Sequence, residues 1–275
     1  MKTILLQKRH IHTGSLILVN RDYGYHTEEN TSLIPVQEHT PDILIQRRAG
    51  ILLSSLMEQI NGWQHIVPVS GWRSLAKQQT IWDDSLSENG LPFTSTYVAV
   101  PGHSEHQTGL AIDLGLRQKE IDFIRPAFPY DGICGLFRKR AADYGFIERY
   151  PAGKETITGI GHEPWHFRYV GIPHAAIITE HQLTLEEYLF FIRQFRHGRA
   201  SYHFRRNSQE ISVSWLEADG NGCGEACLDT ELPYSISGNN FDGFIITEWR
   251  QCDAYQKELR RASSENRSVP QPGMA

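Results

Sequence analysis

Two short segments, far apart in the chain, each carry a histidine close to a carboxylate. The first runs Ser104-Glu105-His106-Gln107-Thr108-Gly109-Leu110-Ala111-Ile112-Asp113, and the second is Glu163-Pro164-Trp165-His166. Together they supply two imidazoles, an Asp and a spare Glu. A hydrolytic zinc site uses such a set: three protein ligands, an open position for water, and a base that takes the water's proton. Glu163 and His166 lie three residues apart around a proline. On a helix that spacing shares one face; on a regular strand it points the pair to opposite faces unless a bulge intervenes. Pro164 cannot donate a ladder hydrogen bond and favours an edge or a bulge. The run His166-Phe167-Arg168-Tyr169-Val170 is aromatic and β-branched, which suits a strand. The expectation is that Glu163 ends a loop and His166 starts a strand, so that one group holds a metal while its neighbour reaches the bound water.

The first segment reads as a turn running into a strand. Gly109 permits the tight bend. Beyond it Ala111 and Asp113 share one face, and Leu110, Ile112 and Leu114 the other. A carboxylate in so apolar a run is costly to bury unless it is paired or holds a metal. The alternative is a surface strand end with Asp113 solvated, and spacing alone leaves both open.

The motif Ser104-x-His106-x-x-Gly109-x-Ala111-x-Asp113, followed by Glu163-Pro164-Trp165-His166, resembles the zinc D,D-carboxypeptidases and D,D-dipeptidases of the VanY, VanX and VanXY type. Ser70-Gly71-Trp72-Arg73-Ser74, with Gln78 after it, is similar to that family's Ser-Gly-Tyr-Arg-Ser motif and its glutamine. Pro101 to Gly109 looks closest to the VanY/VanXY branch. The likeness covers roughly residues 15 to 197 and stops short of the last quarter of the chain. It implies an α+β fold, an antiparallel sheet flanked by helices with one zinc site (the D-Ala-D-Ala metallopeptidase, hedgehog-like fold). It implies His106, Asp113 and His166 as ligands of one Zn2+ per chain and Glu163 as general base and proton shuttle. Arg73 would clamp the substrate carboxylate or stabilise the oxyanion, its planar fork suiting two carboxylate oxygens. Gln78 and Ser104 would hydrogen-bond the substrate backbone. Trp72 stands where the family has a tyrosine, which removes a hydroxyl.

The implied activity is hydrolysis of the D-Ala–D-Ala bond of peptidoglycan precursors, as a carboxypeptidase and also a dipeptidase, with a place in glycopeptide (vancomycin) resistance. The implied substrates are the dipeptide and the UDP-muramyl-pentapeptide. Two rivals stand beside it. One is a zinc L,D-carboxypeptidase or phage-type endopeptidase of the same architecture; the other is a non-catalytic wall-peptide-binding protein that retains the pocket.

Other residues read more blandly. His103 forms an HxxH pair with His106 and is a rival ligand, better placed in support or at the surface. His162 neighbours Glu163 but in an extended chain points away from it. His174 and His181 lack a partner motif and read as surface. Trp165 reads as shaping the pocket floor, and Trp82, at helical spacing from Leu75, Gln79 and Leu86, as core. Cys223-x-x-x-Cys227 is too few ligands for a structural zinc site, which leaves reduced thiols or a local disulfide, and Cys134 reads as a buried apolar residue.

The elements that must position these groups follow from local signals. Ser15 to Asn20 reads as an early strand. Thr40 caps a helix with Pro41 at its first position, running to about Ile60. Ile66 to Val69 reads as a strand, and Ser74 caps a helix ended by Asn89-Gly90. Residues 91 to 104 read as a loop over the site, with Tyr97 and Val98 touching substrate, and Gln118 to Asp131 as a second long connection. A helix from Ile133 to Tyr144 stops at Gly145, a strand spans Phe146 to Tyr150, and a polar loop from Pro151 to Gly161 delivers Glu163. Thr184-Leu185-Glu186-Glu187 is a capping box whose helix reaches Gly198. Beyond about residue 199, alternation at Ile211, Val213 and Trp215 and turn signals at Asp219-Gly220-Asn221-Gly222 and Ser237-Gly238-Asn239-Asn240 give a β-rich appendage of three or four strands. The expected division is a peptidase domain over 1–198, an appendage over 199–259, and a disordered tail over 260–275.

The chain has 275 residues and a net charge of -5. That balance argues against nucleic acid or an anionic membrane as the main partner. The first ten residues hold only a short apolar run, less than the roughly 7–15 residues a secretory signal needs, and nothing approaches the roughly 20 that span a bilayer. A cytoplasmic location is expected, and no oligomeric state is assigned.

Overall fold

The computed structural model describes residues 1–26, 32–206 and 209–251. Among these, in chain order, are strands β1 (Lys2–Leu6), β2 (Leu33–Pro35) and β3 (Leu44–Gln46), helix α1 (Arg47–Gln59), β4 (Ile66–Ser70), α2 (Leu75–Tyr97), β5 (Ala111–Leu116), α3 (Gly132–Ala141) and β6 (Phe146–Tyr150). They continue with α4 (Glu155–Thr158), β7 (Glu163–Tyr169), α5 (Ile172–Glu180), α6 (Leu185–Ile192), β8 (Tyr202–Arg206), β9 (Gln209–Glu217), β10 (Gly224–Leu228), β11 (Tyr234–Gly238) and β12 (Gly243–Gln251). The sheet that carries the site has the order β4-β5-β7-β6 with every pairing antiparallel.

One face of this sheet is apolar. Ile112 and Leu114 of β5 and Phe167 of β7 pack with Leu53, Leu56 and Met57 of α1 and Phe137 of α3 in one cluster. On α1 the buried positions Ala49, Leu53, Leu56 and Met57 recur at helical spacing, so one stripe meets the sheet. The opposite face of β5 and β7 carries Asp113, His166 and Arg168, and it is buried too.

Helix α1 begins at Arg47, not at Thr40. Thr40-Pro41 opens a turn instead, closed by the Ile43 amide donating to the Thr40 carbonyl at 3.1 Å, a use of proline as natural as the first helical position. Residues 44–46 stay extended because their backbone is needed elsewhere. The Leu44 carbonyl accepts from the Trp72 amide at 2.6 Å, and the Gln46 amide donates to Gly109 at 2.8 Å. The first contact also explains Gly71: a Cβ there would lie 2.1 Å from the Leu44 oxygen.

Residues 15–20 do not form a strand. Leu16, Leu18 and Val19 are buried, but no strand ladder satisfies their backbone: the Leu16 amide donates to Ser237 Oγ, the Leu18 amide to the Asn239 carbonyl, and Asn240 donates to the Leu18 carbonyl. Helix α2 is capped by Ser74, as expected, but runs on to Tyr97 through a kink at Gly90, so the loop over the site starts at Val98. Trp82 on α2 is half-buried and not part of the core. The polar loop before Glu163 contains the single turn of α4, and Glu163 is the first residue of β7 and not the end of a loop. The Thr184 capping box forms, but α6 stops at Ile192.

Beyond residue 199 the described residues hold five strands, not three or four. Four make a sheet of order β11-β12-β9-β8, and β10 pairs with the N-terminal β1. Ile211, Val213, Trp215 and Ile245 of this region pack in one cluster with Leu16, Leu18, Ile147, Val170 and residues of α5 and α6. His174 is not at the surface. It is 4 % exposed, with Nδ1 at 2.6 Å from the Tyr188 hydroxyl and Nε2 at 3.2 Å from Thr247 Oγ1. His181 is exposed, and Cys134, Cys223 and Cys227 are free thiols. Cys252 and the 260–275 tail lie outside the described residues.

Candidate active site

The sheet register brings the site together. Asp113 of β5 is directly opposite His166 of β7 and also pairs with Ser70 at the end of β4. Facing residues in an antiparallel pair share a face, so Asp113 and His166 meet by register alone. Glu163 needs more. Between the pairs Glu148–Phe167 and Tyr150–Glu163, β7 uses two more residues than β6. This bulge, at Pro164 and its neighbours, breaks the alternation and returns Glu163 to the side of His166, with Glu163 Oε2 3.7 Å from His166 Nδ1.

His106 arrives from the turn Glu105–Thr108, which ends at Gly109 with φ 69°, a left-handed conformation suited to glycine. Its Nδ1 lies 2.6 Å from the Gly71 carbonyl, which fixes the proton there and leaves Nε2 as a lone pair. That Nε2 is 3.0 Å from Asp113 Oδ2, while His166 Nδ1 is 2.9 Å from Asp113 Oδ1. The two rings meet edge to face, centroids 4.9 Å apart. One donor atom from each of His106, Asp113 and His166 lies within 4.8 Å of the others, and all three residues are buried. Two imidazole nitrogens and a carboxylate oxygen that already converge are a set zinc accepts as three ligands with a fourth position open.

Electrostatics support this reading. Burial opposes the Asp113 charge, yet His106 and His166 hold its carboxyl well below the usual range. Burial and the nearby Arg73 push His106 down to about 4, so it is neutral near pH 7, as a ligand must be. Burial also acts to lower His166, but Asp113, Glu105 and Glu163 together outweigh it and raise the imidazole to about 9; a metal bound there would displace a proton. Burial pushes the Glu163 carboxyl up to about 8 against the pull of His166, which suits a group that must both take and give a proton.

Arg73 sits over this cluster. Nη2 donates to Asp113 Oδ2 at 2.8 Å, Nε to Ser70 Oγ at 2.8 Å and Nη1 to Gln78 Oε1 at 3.3 Å. The cleft beside it is lined by Arg73, Tyr97, Val98, Ser104, Glu163 and Trp165 together with the cluster itself. Gln78 is not among the lining residues. It is fully buried, its amide nitrogen donating to the Ala99 carbonyl at 2.8 Å while its oxygen supports Arg73. His103 is held by the Asn20 carbonyl and His162 by Tyr130, both away from the cluster.

Four contributors carry no sequence signal that marks them. Tyr150, opposite Glu163 in the register, lines the cleft with its ring 4.9 Å from that of His166. Phe123 and Ile124, from the long connection after β5, line the outer wall, and Phe123 stacks under the Arg73 guanidinium. Glu105 is wholly buried between Arg149 and Arg168, which hold it ionised against burial. Only the position of Glu105 beside His106 could have drawn attention to it.

Residues 47–172 match the family model described as VanY, D-alanyl-D-alanine carboxypeptidase. The chain is 41 % identical over 185 residues to the bifunctional D-Ala-D-Ala dipeptidase and carboxypeptidase VanXYC of Enterococcus gallinarum, covering 66 % of this chain and 96 % of that protein. It is 30 % identical to a D-alanyl-D-alanine carboxypeptidase of Enterococcus faecium, over 88 % of this chain and 77 % of the relative. Among solved structures, the vancomycin-resistance D,D-dipeptidase VanXYg in complex with a D-Ala-D-Ala phosphinate analogue superposes with a TM-score of 0.88 at 49 % identity, over 90 % of this chain and 99 % of that one. The D,D-pentapeptidase VanY E175A mutant in complex with Zn(II) gives a TM-score of 0.55 at 34 % identity, over 64 % and 98 %.

Proposed function

Since the chain belongs to the VanY family of D-alanyl-D-alanine carboxypeptidases, we propose that it hydrolyses the D-Ala–D-Ala bond of peptidoglycan precursors, as a carboxypeptidase and as a dipeptidase. The observation that carries this is the convergence of His106, Asp113 and His166 with Glu163 beside them in one cleft. The three would hold one zinc ion. Bound there, zinc supplies a water of lowered pKa and polarisation of the scissile carbonyl.

The chain's own residues do the rest. Glu163 takes the proton of the attacking water and returns it to the leaving D-Ala amine. Its confinement by Tyr150 and the bulged strand keeps it in reach of both positions. Arg73 offers its fork to the terminal carboxylate, or to charge developing on the carbonyl oxygen, and Gln78 and Ser70 hold that fork from behind. Ser104, Tyr97, Val98 and Trp165 form the walls against which the peptide lies. None of the described residues lining the cleft lies beyond His166, so on this reading residues 1–198 carry the chemistry and the β-rich part after 199 does not.

Among the described residues no helix is long and apolar enough to cross a membrane. We take the substrates to be those met in the cytoplasm, free D-Ala–D-Ala and the UDP-muramyl-pentapeptide; removing them depletes the target of glycopeptide antibiotics. The test is release of D-Ala from both substrates before and after chelation and after zinc is restored. Turnover that persists with all metal removed refutes the metallopeptidase reading.

A further inference from the structure

Glu105 lies between Ser104 and His106 and, like them, borders the cleft, yet its side chain is completely shielded from solvent. Both arginines that neutralise it use the same oxygen. Arg149 Nε reaches Oε1 at 2.8 Å and Arg168 Nη1 reaches Oε1 at 2.7 Å. Oε2 has no hydrogen-bond partner among the described residues, and neither does His166 Nε2. These two buried, unpartnered atoms face each other at 3.6 Å. That separation is too long for a hydrogen bond and too short for a water between them. Leaving either atom unpaired costs about 1–3 kcal/mol.

The arginines are themselves anchored. Arg149 binds Glu186 on α6 with two parallel bonds of 2.9 and 2.7 Å. Arg168 donates to the Ser15 and Ile17 carbonyls. With its charge balanced on one oxygen, Glu105 presents the other to the imidazole as an acceptor whose place is set by the surrounding fold.

We propose that Glu105 is a positioning residue for the metal site: its free carboxylate oxygen takes the proton on His166 Nε2 as a hydrogen bond and so commits Nδ1 to the ion. This rests on the zinc reading above. His166 turns Nδ1 toward Asp113 and the donor cluster, so a ligating ring must carry its proton on Nε2. A carboxylate there orients the ring and makes the ligand more basic. A closure of well under an ångström completes the bond, and it satisfies both orphan atoms at once.

The test is zinc affinity by chelator competition for the wild type, Glu105→Gln, Glu105→Asp and Glu186→Gln. Glu105→Gln is expected to weaken zinc by about 10–100-fold, and Glu105→Asp less, as outer-shell losses do. Glu186→Gln removes a charge from the same buried network without facing His166. It should lower the melting temperature while leaving zinc affinity unchanged. Equal zinc affinity in the wild type and Glu105→Gln, or equal weakening in Glu105→Gln and Glu186→Gln, overturns the inference. Should the Glu105 variants fail to fold, nitrogen NMR of the zinc-loaded wild type decides it. A proton on His166 Nε2 with Nδ1 on the metal supports the inference, and the opposite tautomer overturns it. A wild type that takes up no zinc refutes the reading of the site itself, a result distinct from failure of this step.

Discussion

The group proposed to shuttle the proton is held at a cost to stability, and Glu163→Gln should expose it. In the metal-free protein, burial raises the Glu163 carboxyl from 4.5 to about 8. For an acid with a raised folded pKa, the native state binds more protons than the unfolded chain between those values. Stability therefore falls as pH rises from 4.5 through 8. At pH 7 the shift corresponds to about 3 kcal/mol, and at pH 5 to less than about 1 kcal/mol. Glutamine has nearly the same shape and never ionises, so it escapes this penalty. Metal-stripped Glu163→Gln should melt above metal-stripped wild type by roughly 2–4 °C for each kcal/mol recovered, with the gap widening from pH 5 to pH 8. The same variant should keep zinc, because Glu163 is not in the ligand cluster, and should lose about 10²–10⁴ in kcat, the range for general acid–base groups. Calorimetry across pH in the presence of chelator, with D-Ala release on the zinc-loaded proteins, checks both halves. A variant no more stable than wild type at pH 8, or a gap that does not change with pH, refutes the idea that the carboxylate is held against its preference.

His166→Ala leaves two protein ligands where catalytic zinc sites use three, so its metal content after dialysis should fall far below that of Glu163→Gln. Arg73→Ala should lower kcat/KM roughly 10–100-fold on substrates ending in a carboxylate, as loss of a charged hydrogen-bond pair does, and leave C-terminally amidated analogues nearly unchanged. Equal loss on both would mean that Arg73 acts through its bond to Asp113 and not as a clamp. His174 offers a pH effect away from the site: burial holds its imidazole down to about 3, from 6.5. The unfolded chain then binds the extra proton between those values, so stability is intact above pH 6.5 and falls as the pH drops toward 3, by up to about 1.4 kcal/mol per pH unit. Subtracting the acid-denaturation profile of His174→Gln from that of wild type isolates this slope, and superimposable profiles would refute it.

What the sequence revealed about the site was the part that short-range constraints dictate. The proline in Glu163-Pro164-Trp165-His166 allowed a bulge, and the bulge is what lets two groups three residues apart serve one cleft. Gly109 and the alternation after it set Asp113 on the strand face that register then brings opposite His166. The resemblance supplied which of several histidines to choose. Gln78 shows where a motif's role and its position separate: the residue is close to the site but spends both ends of its amide on the protein.

The errors share a physical cause, which is that the same local signal serves two structures and only distant partners decide between them. Thr40-Pro41 can start a helix or a turn; the demand of Trp72 and Gly109 for the backbone at 44 and 46 selects the turn. Leu16 to Val19 looks like a strand because it is apolar and buried, but the side chains of Arg168, Ser237 and Asn240 and the Asn239 carbonyl take polar groups of residues 15–18 in place of a strand ladder. Arg168 itself follows His166 by two residues on β7, a spacing that ordinarily marks a solvated strand face. Here residues 15–17 and Glu105 cover that face. A charge there is affordable only because Glu105 and Glu186 balance Arg149 and Arg168 within the same buried network, and removing one member would leave the others uncompensated. The partners are separated by 37 to 63 positions along the chain, so no local pattern announces them. Replacing all four by apolar residues could leave the fold intact, but would remove the only carboxylate facing His166 Nε2 among the described residues. Within the network, then, Glu105 is the member that meets the ring, while Glu186 balances the arginines that hold it.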